Sequence, residues 1–241
     1  MRIQSGGCGP RRDSRRRLIG AVGLVLVCNL TGQAEEKRKL FNGQDLSGWQ
    51  GDAKLWSVRD GQIVGSTVDH KIDKNSFLIW EGGPVEDFRL TFQARLEGDN
   101  NSGVQYRSKR TDPKAWSVAG YQADIHANPP YTAMLYGEGT GRGIIALRGQ
   151  QGTLETDPDR NEIDAKAFPV KPVDVAKWHD YSIEARGNRL IHKLDGKTTI
   201  DVTDNHEKRC DRGILALQVH AGPPMTVFFK DLVLETPAVQ E

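Results

Sequence analysis

The chain has 241 residues, 33 Lys and Arg against 32 Asp and Glu, and a formal net charge of +1. That balance excludes the strongly basic surface that bulk nucleic-acid binding needs. Apolar residues make up 37% and charged residues 27%, as in a soluble globular chain, and 26 Gly among many short alternating runs favour an all-β class.

The N-terminal stretch is not expected to join the fold. Arg11, Arg12, Arg15, Arg16 and Arg17 precede an apolar run over 18–30, shorter than the ~20 residues that a membrane span needs. Small residues at Gly32 and Ala34 offer a cleavage site before Glu35. Residues 1–34 are read as a signal peptide, and the protein as exported to the periplasm or secreted. Ser14-Arg15-Arg16-Arg17-Leu18-Ile19 fits a twin-arginine signal, and the general secretory route fits the same anatomy. Cys28 raises a lipoprotein anchor, against which stands the bulky Val27 before it. Without Cys8 and Cys28, Cys210 is alone. Residues 35–241 are therefore expected to form one domain held by its core rather than by disulfides.

The domain opens on Asn-Gly and Ser-Gly turns over 42–48, anchored by Phe41, Leu46 and Trp49. Asp60-Gly61 between alternating residues predicts a hairpin. Residues 77–80 read as a buried strand. Phe88, Leu90, Phe92, Ala94 and Leu96 alternate cleanly and share one face of a strand. Strands follow over 103–107 and 121–126, and two more flank a Gly-rich turn over 137–143. Residues 149–176 are polar and aperiodic, which predicts a long loop with a helical turn at Asp174. A meander over 178–202 turns at Gly187-Asn188 and Asp195-Gly196, and strands over 213–219 and 227–234 close the chain. A dozen short strands without a long helix predict two antiparallel sheets packed as a sandwich.

Three strands are amphipathic in an unusual way. Side chains alternate across a strand. That sets Gln105 and Arg107 opposite Val104 and Tyr106, and Gln122, Asp124 and His126 opposite Tyr121, Ala123 and Ile125. It also sets Gln218 and His220 opposite Leu215, Leu217 and Val219. If these strands neighbour one another, their polar sides make one wall of amides, imidazoles, a carboxylate and a guanidinium. The wall is also readable as an ordinary solvated face. A divalent ion held by Asp124, His126, Glu138 and His220 is an alternative, while His-Glu-x-x-His, a phosphate loop and a Gly-x-Ser-x-Gly elbow are all absent. So is the tight Glu-x-Asp-x-x-Glu run of some sandwich glycosidases.

The motifs together resemble the 3-keto-disaccharide hydrolase domain family. They are Leu40-Phe41-Asn42-Gly43, Leu46-Ser47-Gly48-Trp49, Asp60-Gly61, Asn101-Ser102-Gly103-Val104, Gly120-Tyr121-Gln122-Ala123-Asp124-Ile125, Trp178, Gly213-Ile214 through His220, and Val227 to Asp231. The resemblance runs from about Lys39 to Glu235. It implies a concanavalin A-like jelly-roll sandwich acting on glycosides whose C3 hydroxyl is oxidised to a ketone. Many members carry Glu and Gln where this chain has Gln122 and Asp124.

A C3 ketone acidifies the C2 proton. Cleavage then needs a base near C2, a donor for the enolate oxygen, and an acid at the glycosidic oxygen. Catalytic candidates are Asp124 or His220 as base, with Glu138 as the other acid/base group. Gln105, Arg107, Gln122, Tyr136 and Gln218 are candidates for binding the sugar, Arg107 at the enolate oxygen or a sugar hydroxyl pair. No cofactor is required. The plainer alternatives are a salt bridge from Arg107 to Asp124, a loop-surface role for Glu138, and a corner-holding hydrogen bond for His220. The expected partner is an oligosaccharide or glycoside, with no nucleic acid and no membrane span. A non-catalytic sugar-binding sandwich is the alternative function. The site assignment requires Arg107, Asp124 and His220 to open on one cleft.

Overall fold

The computed structural model describes residues 35–112 and 114–237, so the leader read over 1–34 lies outside the described residues. In chain order the strands are β1 (Glu35–Lys39), β2 (Trp49–Gln50), β3 (Trp56–Arg59), β4 (Gln62–Ser66), β5 (Ser76–Trp80) and β6 (Phe88–Gly98). They continue with β7 (Asn101–Asp112), β8 (Ser117–His126), β9 (Leu135–Glu138), β10 (Gly143–Ala146), β11 (Gln151–Leu154) and β12 (Glu162–Asp164). The last are β13 (His179–Arg186), β14 (Arg189–Leu194), β15 (Lys197–Asp204), β16 (Ile214–Val219) and β17 (Met225–Pro237).

They form two sheets. One runs β12-β11-β15-β14-β13-β6-β17-β4-β3, with β1 also on β17; the other runs β10-β9-β8-β7-β16-β5-β2. All pairings are antiparallel except β11 on β15. The protein is thus an all-β sandwich, and among the described residues the one helical element in the strand order is the 3-10 turn Pro158–Arg160. The long loop expected over 149–176 is partly wrong. It contains β11 and β12, which extend the edge of the larger sheet, and Asp174 begins a turn rather than a helix. Three- and four-residue strands paired at an edge show no alternation long enough to read. Among the described residues no helix is long and apolar enough to cross a membrane.

The hairpin turns follow their chemistry. Asp60-Gly61 and Asp195-Gly196 all have positive φ, between 50° and 74°, as a type I′ turn requires. Phe88, Leu90, Phe92, Ala94 and Leu96 all enter the core from β6, as their alternation predicts. From the seven-stranded sheet come Val104, Tyr106, Tyr121, Ala123, Ile125, Leu135, Leu215, Leu217 and Val219.

One polar group is sealed inside this core. His192 on β14 is 1% exposed. Its Nδ1–H donates to the Ala133 carbonyl at 3.4 Å, and its Nε2 accepts from the Tyr106 hydroxyl at 2.9 Å. Burial pushes its pKa down from 6.5 to about 4. The unfolded chain therefore binds this proton more readily, and the group costs stability as pH falls from 6.5 towards 4. The loss is about 3 kcal/mol. The difference in urea-unfolding stability between the wild type and His192→Gln, followed over a series of pH values, should shift against the wild type by that amount between pH 6.5 and 4.

Candidate functional site

On the opposite face of the seven-stranded sheet the register decides which side chains meet. Gln105 lies across from Gln122, and Gln122 from Tyr136. Gly103 lies across from Asp124, Asn101 from His126, and Glu138 from Gly120. The sheet curls so strongly that β5 reaches β8 across two intervening strands. Phe77, Ile79, Val118 and Ala216 pack there as a second apolar cluster, with Trp116 and Ile214 against them. The polar wall is thus largely covered rather than solvated, and Gln105, Gln122, Asp124 and Gln218 are all buried.

Beside that cluster opens a cavity of about 320 Å3, within the range of small-molecule sites. It is walled by Gln122, Asp124 and His126 from β8, Tyr136 and Glu138 from β9, and His220 from the corner after β16. Asn75, Asn101, Tyr131, Met134 and Ile144 complete it.

A line of hydrogen bonds fixes Asp124. Ser108 Oγ donates to Gln105 Oε1 at 2.8 Å, Gln105 Nε2 to Gln122 Oε1 at 2.6 Å, and Gln122 Nε2 to Asp124 Oδ1 at 2.5 Å. Each amide receives on its oxygen and gives from its nitrogen, so the whole line has one direction. Gln218 Oε1 accepts weakly from Gln122 Nε2 at 3.4 Å, and Gln218 Nε2 is buried with no partner among the described residues. Burial raises the Asp124 pKa from 3.8 to about 7, against the lowering effect of Gln122 and with a further push from Glu138. Glu138 is also raised, chiefly by burial, while Asn75 and His220 favour its charged form. Tyr136 is raised by burial and by both carboxylates.

Gly103 makes room for this line. A Cβ there would lie 2.6 Å from Gln122 Cγ and Cδ. Gly103→Ala should therefore push Gln122 off Asp124 and cost about 1–3 kcal/mol by overpacking. A urea midpoint equal to the wild type would show that Gln122 has space to give.

Asn75 ties the two sides of the cavity together. Its Oδ1 accepts from the Ala221 N–H at 3.0 Å, and its Nδ2 donates to Glu138 Oε1 at 3.3 Å. Asn100 holds the same corner through the carbonyls of His220 and Pro223. The corner is thus secured by two asparagines. The His220 ring adds its own bond from Nδ1 to the Ala221 carbonyl at 2.5 Å, and the ring still lines the cavity.

The structure brings together Gln122, Asp124, Tyr136, Glu138 and His220 from the sequence-derived set. It does not bring Arg107. Strict alternation fails at a bulge between Tyr106 and Lys109, where Arg107 takes φ 47°. Its guanidinium turns away and donates to the carbonyls of Glu86 (2.8 Å), Gly187 (2.7 Å) and Cys210 (3.3 Å), and to Asp87 at 3.4 Å. The requirement that Arg107 share a cleft with Asp124 and His220 is not met. The alternative of an Arg107–Asp124 salt bridge fails with it, because the partner is Asp87. Gln105 and Gln218 lie on the correct face but behind the cavity wall, where they support Gln122 rather than reach a ligand. The turn over 139–142 sends Arg142 to a bidentate pair with buried Asp204 and Glu138 to the cavity.

Asn101 was legible: carrying the alternation of β7 back from Gln105 through Gly103 reaches it. Asn75, Tyr131 and Met134 come from loops and carry no periodic signal. The cavity also holds two carboxylates, Asp124 on β8 and Glu138 on the neighbouring β9. Among the described residues no three His, Cys, Asp or Glu side chains are grouped to hold one metal ion.

Residues 36–235 match the family described as the 3-keto-alpha-glucoside-1,2-lyase-like domain. Among solved structures, the carbohydrate-binding module CBM66 from Bacillus subtilis aligns with a TM-score of 0.53 at 20% identity, over 78% of this chain and 96% of that one. A protein of unknown function with a galectin-like fold from Bacillus subtilis aligns at 0.55 and 11% identity, over 86% and 96%. The kappa-carrageenase from Pseudoalteromonas carrageenovora aligns at 0.51 and 9% identity, over 88% and 98%. At these identities the likeness establishes the sandwich fold. No curated protein matches the sequence.

Proposed function

The chain belongs to the 3-keto-alpha-glucoside-1,2-lyase-like family, and from that premise we propose that it is an exported enzyme cleaving 3-keto-glycosides by C2 deprotonation. The observation that carries this reading is Asp124, a buried carboxyl with its pKa near 7 in a cavity shared with Glu138 and His220. Groups that titrate near the working pH are suited to give and take protons.

The chemistry balances with these groups. A base takes the C2 proton, the C2–H pair becomes a C2–C3 double bond, and the carbonyl pair moves to O3. When O3 returns its pair, a C1–C2 double bond forms and the C1–O bond breaks. The leaving oxygen then takes a proton from a carboxylic acid of the site. Water addition to the enone would complete net hydrolysis. Asp124, Glu138 and His220 supply the acid and the base, while Gln122 orients Asp124 and Tyr136 offers a ring face and a hydroxyl to the sugar. The proposal uses no metal ion.

Two other readings have support. The likeness to a carbohydrate-binding module favours a non-catalytic sugar-binding sandwich. The Asp124–Glu138 pair favours a glycosidase acting on unoxidised sugar. Incubation with 3-keto-trehalose, 3-keto-cellobiose and their unoxidised parents, with and without EDTA, separates all three. The proposal expects released sugar from keto substrates alone, at rates unaffected by EDTA. Binding without release would leave the module, and release from the parents would leave the glycosidase. Loss with EDTA and return with a divalent ion would overturn the metal-free part.

A further inference from the structure

The cavity contains two imidazoles, and the backbone fixes them in opposite tautomers. Proton positions follow from the hydrogen-bond partners. The Asn128 N–H points at His126 Nδ1 at 3.0 Å. A backbone N–H can only donate, so Nδ1 of His126 carries no proton and the neutral ring carries it on Nε2. The Ala221 carbonyl lies against His220 Nδ1. A carbonyl can only accept, so Nδ1 of His220 carries a proton, and in the neutral ring Nε2 is bare. Both rings line the cavity with Nδ1 engaged, and among the described residues Nε2 of neither ring has a hydrogen-bond partner.

We propose that this opposition polarises the site: His126 donates from Nε2–H to the oxygen that becomes the enolate, and His220 accepts the C2 proton at its bare Nε2. This rests on the keto-sugar reading above and assigns two roles that it leaves open. The donor role passes to His126 because Arg107, the expected donor, faces elsewhere. The base role goes to His220 because Asp124 already spends one oxygen on Gln122 and holds its proton near neutral pH. That suits Asp124 to the acid at the leaving oxygen.

The surroundings are consistent on both sides. Burial, the first cause, lowers the His126 pKa and favours the neutral ring; a proton gained by His220 pushes the same way, and Asp99 opposes both. A neutral Nε2–H donor strengthens its bond as charge builds on O3 without a competing proton transfer. His220 is coupled to the acid side through Ala221, whose N–H donates to Asn75, which in turn donates to Glu138. The ketone is thus oriented towards the β7–β8 end, at His126 and Asn101, and the glycosidic oxygen towards Asp124 and Glu138.

The test has two arms. Nitrogen-15 spectra of the imidazoles at neutral pH, in the ligand-free protein, should show Nε2–H on His126 and Nδ1–H on His220. The same tautomer on both, or the reverse, overturns the proposal. Kinetics on a 3-keto-glycoside then compare His126→Phe with His126→Gln, which keeps an N–H donor. The expected loss is on the order of 10²- to 10³-fold for Phe, with at least ten-fold recovered by Gln. Equal losses overturn the donor role. A His220→Gln loss under ten-fold overturns the base role. Turnover with the wrong tautomers leaves the keto-sugar reading standing and removes these assignments. Correct tautomers with no turnover of any 3-keto-glycoside remove the keto-sugar reading and both catalytic roles, while the tautomer lock stands.

Discussion

Asp124→Asn should lower kcat on 3-keto-glycosides by on the order of 10²- to 10⁴-fold and, at the same time, stabilise the protein at pH 8.5. The two effects share one cause. The folded protein holds the Asp124 proton more tightly than the unfolded chain does, with a pKa of about 7 against 3.8. Below about pH 3.8 the group is protonated in both states and costs nothing. As pH rises towards 7 the unfolded chain ionises first, and stability falls; above 7 the folded protein holds a buried carboxylate. The cost there is on the order of 4 kcal/mol. An amide keeps the oxygen that accepts from Gln122 and removes the charge, so the gain should appear at pH 8.5 and fade towards pH 4.

The same variant should expose a second slope. His192 loses stability as pH falls from 6.5 to 4, while Asp124 regains it over nearly the same range. In the wild type these two contributions oppose each other. In Asp124→Asn the acid loss of about 3 kcal/mol from His192 is no longer offset by Asp124. Urea unfolding of both proteins from pH 4 to 8.5 measures this directly. A variant no more stable than wild type at pH 8.5 would mean that Asp124 is not held at a cost, and would remove the main physical ground for treating it as functional.

Arg107→Lys should destabilise the protein by about 3–5 kcal/mol, the scale for breaking a buried, hydrogen-bonded charge. The guanidinium fork reaches three carbonyls and Asp87 from one buried position. These carbonyls belong to the approach to β6, the turn between β13 and β14, and the segment before β16. A lysine places its donors at a single point and cannot reach all four groups. Against a typical total of 5–15 kcal/mol this is a severe loss, yet KM per folded molecule should remain near the wild-type value. A raised KM with an unchanged urea midpoint would return Arg107 to the sugar site.

Arg107 also shows where sequence reasoning fails and why. The alternation rule holds for β8 and β16 throughout the polar stretch, so Gln122, Asp124 and His126 share a face, as do Gln218 and His220 beyond it. On β7 it holds from Asn101 to Tyr106 and then breaks at one bulge. Nothing in Val104 to Ser108 marks that bulge locally. Its fit is visible only in space, where a Cβ on Gly120 or Gly213 would strike Ser108. The sandwich itself was legible because its hairpins carry Asp-Gly turns and its core strands alternate. The burial of the polar wall was not, because the covering cluster combines Phe77 and Ile79 from β5 with Trp116 from a distant hairpin. Asn75 was hidden for the same reason: a loop residue meets Glu138 across three intervening strands.

The central claim is that C2–H cleavage begins the reaction. Turnover of a 3-keto-glycoside carrying deuterium at C2 tests it most directly. The account predicts a severalfold slower rate under single-turnover conditions, and no cleavage of the glycoside before oxidation at C3. Cleavage of the unoxidised glycoside, or equal rates for the C2-protonated and C2-deuterated keto substrates in a single turnover, would contradict it.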